Sequence, residues 1–256
     1  MGVVGNNTCP KNKIMKKLLV SIIIPTLNER DNITNLIGIL TNLCTEKNYL
    51  YEIIVIDDNS VDGTVGVVQD IARRDGHIRL LAHRVKLGLG RSIREGIKNA
   101  RGEVVVGMDA DLNHDPMILP YMIEALSSAD LVVASRFVSG GGMAEVGRYW
   151  ASLLFNSLLH LCLTFPIWDN TSGYYAVKST TLRRLCIDDI YVGYGEYHLR
   201  LVYEAMRKGM RIVEVPVFYK KRQFGKSKSR LATMARVYMG EAIRLRMSKD
   251  NYEKNN

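Results

Sequence analysis

Asp109 and Asp111 stand one residue apart, directly after the apolar run Val104–Met108. In extended chain, residues i and i+2 project from the same face, so both carboxylates would aim into one crevice. Two unshielded acids this close favour a divalent cation between them and a diphosphate. All-oxygen ligands select Mg²⁺ or Mn²⁺, an ion that usually shares its shell with phosphate oxygens. Its work would be Lewis-acid neutralisation of a departing nucleoside diphosphate. A lone Asp-x-Asp is more often an ordinary solvated loop at a strand end. Here Asn113, His114 and Asp115-Pro116 follow, with Asp115 placed to cap a helix and Pro116 to open it. A second acidic strand end is Asp57-Asp58-Asn59-Ser60, then Val61-Asp62-Gly63-Thr64. Asp57 there can accept hydrogen bonds from a base or ribose, while Asp62 has the plainer task of capping the next helix.

The elements that must position these acids alternate. From Leu18, near-continuous apolar strands (LLVSIII, YEIIVID, VVVGM, LVVAS) are separated by helical stretches from Asp31, from Asp62, around Leu89 to Ala100, and from Pro116 to Ser127. That rhythm predicts an α/β fold with a parallel sheet covered on both faces. Ligands of such sheets sit at the carboxyl ends of the strands, where this chain concentrates its acids. After Arg136 the pattern passes through Ser139–Gly142 into a long apolar stretch from Tyr149 to Ile167. A second α/β portion follows, with a helix near Glu196–Lys208 and the strand IVEVPVFY. No repeat or low-complexity linker divides the chain. The expected organisation is an N-terminal extension over 1–16, one catalytic domain over 17–228, and a basic amphipathic helix and tail over 229–256.

At 256 residues and 47% hydrophobic content the chain can bury one large core, and a formal charge of +9 implies anionic company: nucleic acid, an acidic membrane face or phosphate-bearing small molecules. Cys9, Cys44, Cys162 and Cys186 show no CxxC pair, which points to a reducing compartment and away from a zinc site. The opening residues are polar and lack the apolar core of a signal peptide.

With these segments placed, the chain resembles the family 2 glycosyltransferases of GT-A fold, most closely those of dolichol-phosphate mannose synthase type. The likeness rests on motifs in the right order: IIIPTLNERDNI from Ile22, VIDDNSVDGT from Val55, KLGLG from Lys86, MDADLNHDP from Met108, SRFVSGGG from Ser135, DNTSGYYAV from Asp169 and EVPVFYKKRQFGKSK from Glu214. It implies a single mostly parallel, Rossmann-like sheet flanked by helices, and transfer of one mannose from GDP-mannose to dolichyl (polyprenyl) phosphate. Pro25, Glu29 and Asp57 would hold the nucleoside, with Asp109 and Ala110 also on the donor nucleotide. Asp109, Asp111 and Asn113 would serve the Mg²⁺ or Mn²⁺, and Arg222 and Lys228 would grip phosphate, with Asp111 and Arg222 as the catalytic pair. Arg136, Arg148 and Ser152 would receive the acceptor phosphate. Arg148 and Ser152 are four apart and share a helix face, which independently suits one phosphate held by both; the plainer reading of Arg136 and Arg148 is a pair of surface arginines. Two departures bear on the base and the metal: Leu27 stands where the family has Tyr, and Asn113 where it usually has Gln. The QxxRW motif of processive synthases is absent, which favours single-sugar transfer.

An acceptor phosphate is already ionised near neutral pH, so no general base is needed, and one in-line displacement predicts inversion. The run Trp150–Phe165 is shorter than the ~20 residues that span a bilayer. Arg148, Ser152, Asn156, His160 and Thr164 form a polar stripe at four-residue steps. Such a helix would either lie in a membrane surface with its stripe on the active site, or be a core helix with His160 hydrogen-bonded internally. Lys220, Lys221, Arg222, Lys226, Lys228 and Arg230 form a cationic run, followed by Leu231, Met234, Ala235, Tyr238, Ala242 and Leu245 at helical spacing. The expected placement is peripheral, on the cytoplasmic face of a membrane, the endoplasmic reticulum or a prokaryotic plasma membrane, with a small membrane-anchoring subunit as one source of the anchor. The rivals are a dolichyl-phosphate glucosyltransferase using UDP-glucose and a basic nucleic-acid-binding protein. The second lacks any recognisable HTH, RRM, KH or zinc pattern, so nucleic acid is not an expected partner.

Overall fold

The computed structural model describes residues 18–221 and 231–254. The first half alternates β1 (Leu19–Thr26), α1 (Arg30–Glu46), β2 (Leu50–Asp57), α2 (Thr64–Arg74), β3 (Ile78–Ala82), α3 (Leu89–Asn99) and β4 (Val104–Gly107). A 3₁₀ turn, Pro116–Ile118, then leads into α4 (Leu119–Ala125), β5 (Leu131–Ser135), β6 (Gly142–Met143) and α5 (Val146–Leu163). The remainder is β7 (Tyr175–Lys178), α6 (Ser179–Leu182), α7 (Ile187–Ile190), α8 (Tyr197–Arg207), β8 (Ile212–Pro216), β9 (Phe218–Tyr219) and α9 (Leu231–Lys254).

Seven strands form one sheet in the order β3-β2-β1-β4-β7-β5-β8, all parallel except β7, which runs antiparallel between β4 and β5. The parallel strands are apolar on both faces because helices cover both. Ile22 and Ile24 join the cluster under α1 and α4, while Ile23, Ile54 and Ile56 join the cluster under α3 and α8. The order reverses at β1, whose neighbours are β2 and β4, and a crevice opens at such a switch point. β6 and β9 make a separate two-residue parallel pair beside it.

α5 ends on Thr164 in the left-handed region (φ 56°), two residues before Pro166. No helix among the described residues is long and apolar enough to cross a membrane. The polar stripe of α5 faces inward as far as His160, with Thr164 exposed at its end: Asn156 is buried, and the His160 ring stacks on Trp168 with Nδ1 3.1 Å from the Ile167 carbonyl. The opposite face leaves Trp150, Leu154, Leu158 and Leu161 exposed. α9 packs across α5 and α8 and buries Tyr238, Ala242 and Leu245, while Val237, Ile243 and Met247 stay exposed.

Candidate active site

The carboxylate pair is positioned where β1 and β4 meet. Gly107 is in register with Ile23, and the Met108 N–H donates to the Ile23 carbonyl (3.2 Å), so the chain leaves the sheet beside Pro25 and Thr26. It then turns sharply. Leu112 is left-handed (φ 61°), and Asn113 closes the turn by donating its backbone N–H and its side-chain amide to the two oxygens of Asp111 (both 3.0 Å). The Asp109 N–H donates to His114 Nδ1 (3.0 Å), which fixes Nδ1 as an acceptor and leaves the ring proton on Nε2, 3.7 Å from the Asp109 carboxylate. His114 is itself buried and stacked on Tyr174, with centroids 4.9 Å apart. The two acids therefore reach one crevice through a braced turn, where their spacing predicted extended chain. Asp111 is 3% exposed, whereas the Asp109 side chain is 44% exposed. Asp115 caps the following turn as expected, accepting from the Met117 N–H (3.1 Å), and pairs with Lys220 at 2.9 Å.

A cavity of about 360 Å³ opens over the ends of β1 and β2, and Pro25, Glu29, Asp109, Ala110 and Asp111 all line it. Asp57 is not among its walls. It is fully buried one layer behind, its carboxylate held by the Ser60 N–H (2.8 Å), the Ser60 hydroxyl (2.5 Å) and the Thr26 hydroxyl (3.1 Å). The acid at the wall is Asp58, which accepts from the Leu87 N–H (2.6 Å) and Gly88 N–H (3.0 Å) and so ties the Lys86–Gly90 segment to the tip of β2. Asp62 accepts from the Thr64 N–H and from the Arg30 N–H, joining the starts of α1 and α2.

On the other side of the carboxylates lies a polar crevice of about 150 Å³, lined by Asp109, Asp111, Asn113, Arg136, Arg148 and Lys220. Beyond it a groove of about 480 Å³ runs between α5 and α9, lined by Arg136, Arg148 and Ser152 and by apolar side chains such as Leu154, Phe155, Leu158 and Met234. Asp109 and Asp111 are shared by cavity and crevice, and Arg136 and Arg148 by crevice and groove, so the three spaces adjoin in series.

Arg136 is no surface cation. It is 6% exposed, and its Nε and Nη2 fork onto Asp169 (2.8 and 2.7 Å), with Nη2 also donating to the Thr171 hydroxyl (2.9 Å). Its guanidinium lies over the rings of Phe137 and Tyr219, 5.0 and 4.8 Å from their centroids. Burial works against its charge, but the Asp169 carboxylate more than restores it and holds the arginine firmly protonated. Asp169 is fixed in turn through its N–H to Glu214 on β8 (2.9 Å). Asn156 of α5 ties in the same loop, donating to the Thr171 hydroxyl (2.9 Å) and accepting from the Asn170 N–H (2.8 Å).

Arg222 and Lys228, the two cations assigned to phosphate, lie outside the described residues, as do Lys226 and Arg230. Among the described residues no group of three or more His, Cys, Asp or Glu forms a ready metal cage. Two carboxylates on one turn, with polar space beside them, are the donor set expected where phosphate oxygens complete the shell of a hard cation, so the residues fit Mg²⁺ or Mn²⁺. The sequence reading gave no role to Asp58, Asp169 or Tyr194, and saw His114 only as part of a motif. Asp58 adjoins an acid it did single out, and Asp169 opens one of the quoted motifs, so proximity was the available signal. Tyr194, which lines both the 360 Å³ cavity and the crevice, had none.

The model of Glycosyl transferase family 2 matches residues 21–185. An undecaprenyl-phosphate mannosyltransferase of Micrococcus luteus is 36% identical over 233 residues, which are 88% of this chain and 90% of that protein. A dolichol-phosphate mannosyltransferase of Pyrococcus furiosus is 31% identical over 216 residues, 82% of this chain, and the match spans 58% of its length. Among solved structures, glucosyl-3-phosphoglycerate synthase from Mycobacterium tuberculosis, in complex with Mn²⁺, uridine diphosphate and phosphoglyceric acid, superposes with a TM-score of 0.67. That likeness is at 20% identity over 90% of this chain and 78% of the other, and shows the GT-A type fold.

Proposed function

Since this chain belongs to glycosyl transferase family 2 and is a glycosyltransferase, we propose that it moves a single mannose from GDP-mannose to a polyprenyl phosphate such as dolichyl phosphate. The observation that carries this reading is the serial arrangement of the spaces: a cavity for a nucleotide, a carboxylate turn, a pair of arginines, and an apolar groove. A donor that is a nucleotide sugar and an acceptor that is a phosphate on a hydrocarbon chain would meet at the crevice. The names of the two mannosyltransferase relatives support both the sugar and the lipid class.

In this reading Pro25, Glu29 and Ala110 flank the nucleotide, and Asp57 supports them from behind through Thr26 and Ser60. Asp109 and Asp111, with the Asn113 side chain, would hold Mg²⁺ or Mn²⁺, which when bound neutralises the charge that builds on a departing diphosphate. Asp111 is the proposed catalytic carboxylate, and Asn113 keeps it in one orientation. Arg222 and Lys228 would add positive charge at the same diphosphate. Arg136 and Arg148 take the acceptor phosphate between them, with Ser152 one helical turn beyond Arg148. Held there, a phosphate oxygen forms the new bond to the anomeric carbon as the bond to the diphosphate oxygen breaks, and the sugar inverts. The acceptor is already an anion, so no side chain need remove a proton.

The same reading places the protein peripherally on the cytoplasmic side of a membrane, with the 17–228 region as catalytic domain. The exposed Trp150, Leu154, Leu158 and Leu161 on α5 support it. The test is to incubate purified protein and Mn²⁺ with labelled GDP- and UDP-sugars plus dolichyl phosphate, and to follow label into the organic phase. Transfer from GDP-mannose, abolished by EDTA and restored by added metal, is the expected result. Transfer from UDP-glucose alone would replace mannose by glucose. No transfer from any donor would overturn the lipid-phosphate reading.

A further inference from the structure

The C-terminal helix reaches the proposed donor cavity through one buried arginine. Arg200 on α8 is 8% exposed; its Nη1 donates to the carbonyls of Ile190 (3.0 Å) and Val192 (2.8 Å), and its Nε to the Glu241 carboxylate on α9 (2.8 Å). The far side of the 190–195 segment lies on the first turn of α3. The Gly90 N–H donates to the Gly193 carbonyl (3.0 Å), and a Cβ at Gly90 would stand 2.8 Å from the Val192 backbone. Gly193 is left-handed (φ 74°), and a side chain there would overlap the Glu196 carboxylate. That carboxylate accepts from the Tyr194 N–H (3.1 Å) and lies 3.7 Å from Arg200 Nη2. The backbone that these contacts hold carries Tyr194, a residue that lines both the donor cavity and the crevice.

A buried guanidinium is expensive to desolvate, and an apolar side chain of similar size would fill this space at less cost if packing were its only purpose. The acceptors of Arg200 lie on separate parts of the chain, and a planar fork is suited to fixing the distance between them. Burial disfavours the charge on Glu241, but hydrogen bonds from Arg244 and Arg200 outweigh it, so the anchor on α9 remains ionised.

We propose that Arg200 is a positioning residue for the donor: anchored by Glu241, it holds the 190–195 segment against Gly90 and so sets Tyr194 in the wall between donor cavity and crevice. The proposal rests on the donor reading given above. Its test is titration of the full chain with GDP and with UDP, each with Mn²⁺, for wild type, Arg200→Gln, Arg200→Lys and Glu241→Gln, beside melting temperatures and both KM values. Arg200→Gln is expected to weaken nucleotide binding about tenfold or more, raising the donor KM in step and leaving the acceptor KM in place. Arg200→Lys should recover part of the loss. Glu241→Gln, which leaves the carbonyl contacts, should cost about two- to fivefold. Equal nucleotide affinity in wild type and Arg200→Gln, or a loss shared evenly by the two KM values, would overturn the proposal. Should Arg200→Gln not fold, unchanged donor affinity in Glu241→Gln would overturn it alone. If wild type binds neither nucleotide, the donor reading falls and takes this inference with it. If wild type transfers label while the variants bind like it, only this inference falls.

Discussion

The two sides of the carboxylate turn are built by different means. The proposed donor side is made of strand ends: Pro25 is the penultimate residue of β1, and Ala110 and both acids follow β4, strands whose register is set by backbone hydrogen bonds. The proposed acceptor side is made of helices far apart in sequence, α5 and α9, with an arginine from the end of β5 seated against an aspartate more than thirty residues later. Strand register places chemistry through local spacing; helix packing places it through tertiary contacts. Substitution of the donor-side carboxylates should therefore disturb turnover and spare the fold, while substitution of the buried Arg136–Asp169 pair on the acceptor side should disturb both.

Asp111→Asn tests that contrast most severely. It preserves shape and one of the two hydrogen bonds from Asn113 but withdraws a charge from the proposed metal site, and turnover should drop by about a thousandfold, or ~4 kcal/mol, with the melting temperature changed far less than in the acceptor-side variant below. Near wild-type transfer would remove Asp111 from the chemistry. Asp169→Asn is the counterpart on the acceptor side. It leaves the Arg136 guanidinium buried with an uncompensated charge, and folding stability should fall by about 3–5 kcal/mol in chemical unfolding. A loss under ~1 kcal/mol would mean that water or another anion already screens Arg136, and the two sides would no longer differ in kind.

The same contrast decides what the sequence could disclose. Alternating apolar runs and helix signals pointed to the α/β sheet and its carboxyl-end crevice, because parallel strands must be apolar on both faces. The antiparallel β7 inside that sheet was not visible, since YAVK carries no mark of direction. At the donor edge the spacing of Asp109 and Asp111 suggested a shared crevice, although the means is the His114 and Asn113 bracing of a left-handed turn. Asp57 and Asp58 look interchangeable in a string of letters; the tip of β2 sets one behind the cavity and the other at its wall. On the acceptor side, four-residue spacing placed Arg148 and Ser152 together, but pairing Arg136 with Asp169 required the fold.

A smaller effect separates the two sides by pH. His198 is fully buried among the acceptor-side residues; burial first, with Arg136 and His114 acting in the same direction and Asp169 opposing, pushes its pKa down to about 4 from 6.5. The unfolded chain therefore binds a proton below pH 6.5 that the folded chain refuses until about pH 4. Stability from this group is complete above pH 6.5 and declines as pH falls through that window. Urea unfolding should show a loss of roughly 2 kcal/mol from this group between pH 7 and pH 5, and His198→Gln should flatten that part of the slope. An unchanged slope in the variant would mean that His198 already carries its proton when folded.

The smallest predicted effect sharpens the comparison most, because it tests binding on the acceptor side without touching the fold. Arg136 is committed to Asp169, so replacing it would confound stability with affinity. Arg148 instead sits half-buried on α5, at the border of crevice and groove. A charge-assisted contact to a phosphate is worth about 1.5–3 kcal/mol, and partial solvent access places Arg148 at the low end of that range. Arg148→Ala should accordingly raise the KM for polyprenyl phosphate about tenfold while the donor KM stays within about twofold. Arg148→Lys should recover part of the loss, since a point charge still attracts the phosphate but lacks the planar fork. Added salt should raise the wild-type acceptor KM more than that of the alanine variant, because one screened charge has been removed. If both KM values rise together, Arg148 acts on the crevice as a whole, and the division into a donor side and an acceptor side fails at the residue that ought to define it.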